Sequence, residues 1–359
     1  MSGIYISWPF CAQKCTYCNF ASGVQPKELE ARYTDTLLAE FAAHEWQWTP
    51  DTLYIGGGTP SAMEPAAVER LLAPLPGRPW REATMEAAPG SLTPGKVEAW
   101  QRAGIDRVSL GVQSFVKSEL ARTGRRHDAA TVERDLTLLR SLGIDNVNLD
   151  LIAGLPGQTA ASWRESLDAV IRLDVPHVSV YMLEVDDDSR LGSEILLGGK
   201  RYGAFDVPPD DLIASFYETA AEALDCAGIH RYEISNFAKP GAESIHNLKY
   251  WRREPYIGFG ADAHSFSGTT RWQNAETAGE YVTGGARVES ASDPVEEKFF
   301  VGLRLTEGVE PDASDWQRFG PAFRRFLSAG AMERHGERLR LTPRGIMVSN
   351  EIFQEFLAA

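Results

Sequence analysis

The stretch SGIYISWPFCAQKCTYC, Ser2 to Cys18, places a run of alternating aliphatic and aromatic residues directly before three cysteines in a C-x3-C-x2-C spacing. Isoleucine and aromatic side chains favour a strand over Gly3 to Ser7, so Cys11, Cys15 and Cys18 fall on the loop that follows it. Three thiolates on one short loop can converge on a single metal centre. Structural zinc wants four protein ligands in a closed tetrahedron, and no second Cys pair or His pair stands at a zinc-finger interval. A [4Fe-4S] cluster normally takes four cysteines. Three leave one iron without a protein ligand, which suits a cluster that binds a small molecule. On spacing alone, a three-cysteine zinc site with a remote fourth ligand is the plainer alternative.

Outward from this loop, further strand candidates are Thr52 to Ile55, Ala83 to Ala87, Arg107 to Val112, Asn146 to Ile152 and His177 to Met182. Between them lie amphipathic stretches at Lys27 to Trp46, Ala66 to Leu75, Pro94 to Gly104, Ala129 to Leu142 and Ser162 to Leu173. Strands alternating with helices predict a parallel sheet with right-handed crossovers, and an α/β fold of partial TIM type, a (β/α)6 barrel, fits best. The strands end in small, polar or turn-forming residues: GGGTPS (Gly56 to Ser61), the Glu86 segment, Gln113, and Asp150 with the GLPG after it. Barrel active sites are built at that end. Consecutive glycines let a ligand approach the main chain, although a tight turn would use them equally well. Glu86, Gln113, Arg125 and Asp150 taken singly would pass for surface or capping residues; their recurrence around one rim is what singles them out.

Composition narrows the class. The chain has 359 residues, a formal charge of −14, 43% hydrophobic and 24% charged residues, all ordinary for a globular protein. That length holds one large domain with an appendage, or two domains. An acidic chain without a basic stripe is repelled by phosphate backbones, which argues against free-standing nucleic-acid binding. Four cysteines, three of them clustered, argue against a disulfide framework and for a reducing compartment. No basic segment leads into a long apolar run at the N-terminus, and no uncharged apolar stretch of about 18 residues follows. The expectation is a cytoplasmic chain without an integral membrane segment. Cys226, within AAEALDCAGIH, reads as a small buried hydrophobe.

The second half divides differently. Asp188 to Pro209 is rich in Gly, Ser, Asp and Pro and reads as a loop; a helix at Asp210 to Ala227 and a strand-like YEISNFA follow. The region His246 to Trp272 is rich in glycine and aromatic residues. The tail reads as helices near Val295 to Leu303, Ser314 to Phe319 and Pro321 to Ala329, a hairpin at MERHGERLRLT, and a helix from Pro343 to Phe356. Helices followed by a two-stranded wing suggest a winged-helix-like α+β module serving as a lid or interaction domain. The expected units are 1–235 for the barrel, 236–294 for a connecting region and 295–359 for the tail. Gly258 to Ala263 formally matches G-x-G-x-x-A, but the Ser-, Thr- and Gly-rich HSFSGTTRW after it cannot open the helix a dinucleotide site needs.

With Tyr17 before its last cysteine, the C-x3-C-x2-C loop resembles the signature of the radical S-adenosylmethionine (SAM) superfamily. The resemblance implies a [4Fe-4S] cluster on Cys11, Cys15 and Cys18 whose open iron chelates SAM, and a reductant that lets it cleave SAM to methionine and a 5′-deoxyadenosyl radical. It assigns Gly57, Gly58 and Thr59 to the SAM amino group, and makes Glu86, Gln113, Arg125 and Asp150 candidates for its ribose, amino and carboxylate groups; Tyr5 and Tyr17 join them as cofactor contacts. RVSLGVQSF, RTGRRH, NLDLIAGLPGQT, YEISNFAKPG, HNLKYW and GFGADAHS extend the likeness to the HemN/HemW family, which works in porphyrin and haem metabolism, and the tail resembles that family's own. Two activities are implied: oxygen-independent coproporphyrinogen III oxidation, a radical decarboxylation, and haem chaperoning, in which haem passes to acceptor haem proteins. Phe20 stands where the oxidase usually has a further cysteine, only ten residues precede Cys11 where the oxidase carries an extended arm, and HNLKYW matches the H-N-x-x-Y-W haem motif of the chaperone branch. The chaperone is therefore favoured, with haem on His246. An imidazole suits haem iron, Tyr250 would share its helical face, and Trp251 adds an aromatic plane. His264 is a second candidate, as haem ligand or as a wall of the SAM site. Nothing favours a radical methyltransferase of the same subfamily.

Overall fold

The computed structural model describes residues 2–357. Six strands, β1 (Ser2–Trp8), β2 (Pro50–Gly57), β3 (Glu82–Ala87), β4 (Arg107–Gln113), β5 (Asn146–Ala153) and β6 (His177–Met182), pair in sequence order and all in parallel. The helices α1 (Lys27–Ala43), α2 (Pro65–Leu72), α3 (Pro94–Ala103), α4 (Lys117–Arg122), α5 (Ala129–Ser141) and α6 (Ala160–Leu173) return the chain between them. Local chemistry sets their ends. Thr93 caps α3 with Pro94 in its first turn and Gly104 beyond its last, at φ 95°, while Thr159 and Ser162 form a reciprocal capping box on α6.

Strand composition explains the barrel's two surfaces. Side chains alternate across a strand, and on these strands the alternation is chemical: Val108, Leu110, Val147, Leu149 and Leu151 join the buried apolar core, whereas Arg107, Ser109, Asn148 and Asp150 face one another across the sheet. The strands are thus apolar toward the helices and polar toward the lumen. A parallel strand covered on both faces is ordinarily apolar throughout; here the lumen side is instead filled by buried polar side chains that hydrogen-bond one another, Asn148 with Ser109, Asp150 and His177 among them.

The sheet does not stop at six strands. Among the described residues it has twelve, and the order runs β12-β11-β10-β9-β1 to β6, then β8-β7. After β6 come α7 (Arg190–Leu196), α8 (Asp210–Cys226), β7 (His230–Arg231), β8 (Asn236–Ala238), α9 (Ile245–Trp251), β9 (Tyr256–Phe259), β10 (His264–Phe266), β11 (Thr270–Gln273), α10 (Ala278–Val282) and β12 (Val288–Ala291). β9 lies parallel to β1, with Gly258 opposite Tyr5 and Phe259 opposite Ile6. Residues 236–294, expected to connect two units, therefore extend the barrel sheet itself. Strands of only three or four residues leave too little periodicity to read.

The tail comprises α11 (Pro294–Phe300), α12 (Ala313–Ser328), the hairpin β13 (Met332–His335) and β14 (Arg338–Leu341), α13 (Pro343–Met347) and α14 (Ser349–Leu357). Its core is a phenylalanine cluster in which Phe299, Phe319, Phe323 and Phe356 meet at centroid distances of 5.0–6.2 Å. Three expectations change. Pro321 does not break the helix: α12 runs through it. The 188–209 loop contains α7 and a short 3-10 turn at Arg201–Asp206. Cys226 is exposed, because α8 buries the stripe Ile213, Phe216, Tyr217, Ala220 and Leu224 and Cys226 lies off it.

Candidate functional site at the C-terminal end of the barrel

The cysteine loop leaves β1 at Trp8 and is tied down along its length. Cys11 N donates to Gly23 O (2.9 Å), Thr16 N to Thr123 O (3.2 Å), and Leu191 N, in α7, to Thr16 O (2.8 Å). Cys11, Cys15 and Cys18 remain free thiols, each partly exposed. The GGGTP turn presses against them: Gly58 N donates to Trp8 O (2.7 Å) and Thr59 N to Phe10 O (2.9 Å). A Cβ on Gly58 would lie 2.7 Å from Phe10 O and 2.9 Å from the Cys11 sulfur, so only glycine permits this approach. Burial pushes the Cys11 thiol up, with Cys18 and Cys15 adding to it. A bound metal centre reverses that preference, because it takes the thiolate. Three thiols on one loop suit an iron–sulfur cluster by their chemistry, although among the described residues no three such side chains are drawn close enough together to hold a metal ion as they stand.

Beside the loop opens a cavity of about 120 Å³ whose walls include Tyr5, Ser7, Ser22, Gly57, Glu86 and Asp262. Glu86 accepts from the Tyr54 hydroxyl (2.9 Å) and from Gly57 N (3.0 Å). Burial pushes its carboxyl up to about 7, with Asp150 the next contributor. Asp150 sits deeper in the lumen than a rim residue would, accepting from Asn148 Nδ2 (2.7 Å) and Ser109 Oγ (3.3 Å). Gln113 has φ 68°, where the register of β4 on β5 shifts. A non-glycine residue in the left-handed region is strained, and such residues gather at functional sites. Arg125 donates from Nη1 to Gly111 O (2.6 Å) and from Nη2 to the Tyr17 hydroxyl (3.3 Å), and its buried Nε has no partner among the described residues. Burial alone would lower this guanidinium; Tyr17 and Cys15 hold it up instead. Tyr5, Tyr17, Gly57, Gly58, Thr59, Glu86, Gln113 and Arg125 thus share one end of the barrel with the cysteines. Sequence reading missed Asp262, Ser7 and Ser22. The one available signal was an aspartate on a glycine turn, where short polar side chains tolerate φ > 0.

HNLKYW lies at the opposite end, where α9 closes the barrel floor. Glu82, the first residue of β3, accepts from Ser244 Oγ, Ile245 N and His246 N, each at 2.9 Å, and so caps the helix. His246 is fully buried. Its Nδ1 meets Thr52 Oγ1 at 2.9 Å and its Nε2 the Tyr250 hydroxyl at 2.8 Å. Burial pushes its pKa down to about 3. Lys249 pairs with Asp51 (2.8 Å) and Glu254 (3.1 Å), and Trp251 stacks under Arg304 of the tail, 4.4 Å from its ring centroid. The expected sharing of a face by His246 and Tyr250 is present, but both imidazole nitrogens are engaged, so in this conformation the ring offers no lone pair to iron. His264, on β10, is exposed. A larger, open groove of about 510 Å³ between Arg78–Trp80 and Gly143–Ile144 is remote from the cysteines and gathers no comparable set of polar groups.

Comparison with known proteins agrees with this geometry. Residues 5–170 match the Radical SAM superfamily model and residues 290–348 the HemN C-terminal domain. The heme chaperone HemW of Bacillus subtilis is 32% identical, covering 99% of both chains. That of Mycobacterium tuberculosis (H37Rv) is 34% identical over 99% of this chain and 94% of its own, and that of Escherichia coli 35% identical over 85% and 83%. Among solved structures, coproporphyrinogen III oxidase (HemN) from Escherichia coli superposes with a TM-score of 0.84 at 21% identity, covering 99% of this chain and 89% of that one, a likeness of fold. No helix among the described residues is long and apolar enough to cross a membrane. Kinship over the whole length, with the cysteine loop and glycine turn where the fold requires them, shows that the chain belongs to the HemW family of radical SAM proteins.

Proposed function

We propose that this protein is a haem chaperone that holds a [4Fe-4S] cluster on Cys11, Cys15 and Cys18, binds SAM at the same end of the barrel and passes haem to acceptor haem proteins. The observation that carries the reading is the full-length relation to HemW chaperones. The bound cluster supplies an open iron for SAM and, with a reductant, an electron. The chain's own residues do the rest. Gly57, Gly58 and Thr59 present main chain to the amino group, Arg125 offers a fork to the carboxylate, Glu86 and Gln113 accept and donate at the rim, Tyr5 and Tyr17 wall the site, and Asp150 polarises the lumen beneath. Porphyrinogen oxidation has less support: it rests on a likeness of fold at 21% identity, and Phe20, in place of a further cysteine, is 64% exposed.

For haem, His264 is accessible as the chain stands, whereas His246 becomes a ligand only if α9 leaves the floor. The test is anaerobic purification with iron and sulfide analysis, then haemin titration. Replacing any of the three cysteines by Ser should abolish iron and sulfide; full retention overturns the cluster assignment. The Soret band should weaken in His264→Ala and persist in His246→Ala. The reverse result assigns iron to His246 and requires α9 to move. Identical spectra in both variants exclude histidine ligation at either position, and no Soret band in the wild type overturns the haem reading.

A further inference from the structure

Asp262 has been given no role, yet its placement is unusual. It follows β9 in the GFGADA turn with φ 58°, a left-handed conformation that an ordinary side chain adopts at a cost. Two contacts hold it there: its N–H donates to Ala275 O (2.9 Å), and its Oδ1 accepts from Gln273 Nε2 (2.6 Å). The turn is clamped behind it, since the Tyr33 hydroxyl bridges Ser7 O (2.9 Å) and Ala261 N (2.7 Å). The clamped carboxylate is a wall of the cavity beside the cysteine loop, together with Glu86, Tyr5 and Ser22. Burial disfavours ionisation of the Tyr5 hydroxyl, and the nearby Glu86 and Asp262 carboxylates add to that. Among the described residues, no arginine or lysine lines this cavity. Ser22, 8% exposed, also lines the cavity, and its buried Oγ has no neighbour but the Cys11 thiol to satisfy it among the described residues, short of what a buried hydroxyl ordinarily finds.

We propose that Asp262, with Glu86 across the cavity, selects the positive charge of SAM, making Asp262 a specificity residue that favours the sulfonium cofactor over its uncharged thioether counterpart, S-adenosylhomocysteine. The two ligands share adenosine, amino and carboxylate groups and differ at sulfur by one methyl and one positive charge. A cavity walled by two carboxylates and no cation discriminates through that charge, and it does so best where water is excluded. The inference rests on the SAM reading above.

The test is equilibrium binding of SAM and S-adenosylhomocysteine to the anaerobically reconstituted protein by calorimetry, comparing wild type, Asp262→Asn and Asp262→Gly. Asparagine keeps the shape and removes the charge, while glycine suits the backbone conformation, so at least one variant should keep wild-type iron content and melting behaviour. Wild type should prefer SAM, and both variants should shrink that preference by about tenfold, the scale of one partly screened charge–charge contact near a protein surface, with S-adenosylhomocysteine affinity nearly unmoved. If wild type binds SAM and the ratio is unchanged in both variants, Asp262 has no such role and the SAM reading stands. If wild type binds neither ligand, the SAM reading fails and this inference falls with it.

Discussion

The two ends of the barrel are built on opposite principles. At the floor, α9 is secured by Glu82 at its N-terminus, by Thr52 through His246 and by Asp51 through Lys249, and the polar groups of His246 are paired. At the top, Gln113 and Asp262 sit in left-handed backbone, Arg125 Nε is buried without a partner among the described residues, and three thiols stand partly exposed. The left-handed residues near the floor, Asp174 and Arg253, lie at or just past helix ends, where that conformation is ordinary. Buried polar atoms without a hydrogen-bond partner occur at both ends, Trp251 Nε1 and Arg107 Nε at the floor and Arg125 Nε at the top among the described residues, so what separates the ends is the strained backbone and the exposed thiols at the top. His246, Lys249 and Tyr250 of the HNLKYW motif therefore have a structural account before any ligand is considered, whereas the buried Trp251 Nε1 has no hydrogen-bond partner among the described residues.

The largest effect should come from breaking the floor. Glu82 is 2% exposed and faces Arg107, itself 1% exposed, at 3.9 Å while also capping α9. Glu82→Ala leaves a buried guanidinium without its counter-charge and three donors without an acceptor. It should cost about 3–5 kcal/mol, read as a lower urea midpoint of the cluster-loaded protein. Glu86→Gln at the top should cost far less. Equal losses would mean that the two ends are not specialised in this way.

Glu86 sharpens the comparison through pH. Its carboxyl is raised from 4.5 to about 7 by burial and by Asp150, so the ligand-free fold prefers it protonated, and this group's contribution to stability is lost as pH rises from the ordinary carboxylate range through about 7. A cationic ligand prefers it ionised. SAM affinity should therefore weaken by up to about tenfold per pH unit below 7 and level off above it, with Glu86→Gln flattening the profile. A flat wild-type profile would detach Glu86 from SAM. His246, pushed down to about 3 on the floor, titrates too low to contribute a step between pH 6 and 8.

Much of this was legible in the sequence, for physical reasons that also mark where reading stopped. The six parallel strands were placed within one or two residues because each is a short run, mostly apolar or β-branched, between turn formers and amphipathic stretches, and the cysteine loop because a strand directly precedes it. β9 to β12 were invisible: three- or four-residue strands carry no period, and β9 joins β1 only through the tertiary fold. The location of HNLKYW could not be read either. Its residues suit haem in composition, yet Glu82, some 160 residues earlier, fixes the helix on the floor. Asp262 escaped notice because one aspartate on a glycine turn says nothing of what it faces.

The smallest effect tests whether strain at the top is real. Alanine is ordinarily more stable than glycine in a strand by roughly 0.5–1 kcal/mol, since glycine loses more backbone freedom on folding. Gln113 reverses the terms: at φ 68° a Cβ is itself the source of strain, and glycine adopts the conformation freely. Gln113→Gly and Gln113→Ala both delete the same largely buried amide, so the packing loss cancels between them and the backbone preference remains. Gln113→Gly should be the more stable of the two by about 1 kcal/mol in urea denaturation without SAM, with both variants weakened in SAM binding. At Ser109, in the same strand before the register shift and with no left-handed backbone, the glycine variant should be the less stable. Alanine ahead of glycine at both positions would show that β4 relaxes at Gln113 once the side chain is gone, and that the strained backbone there is imposed by the glutamine and not by the end of the barrel it serves.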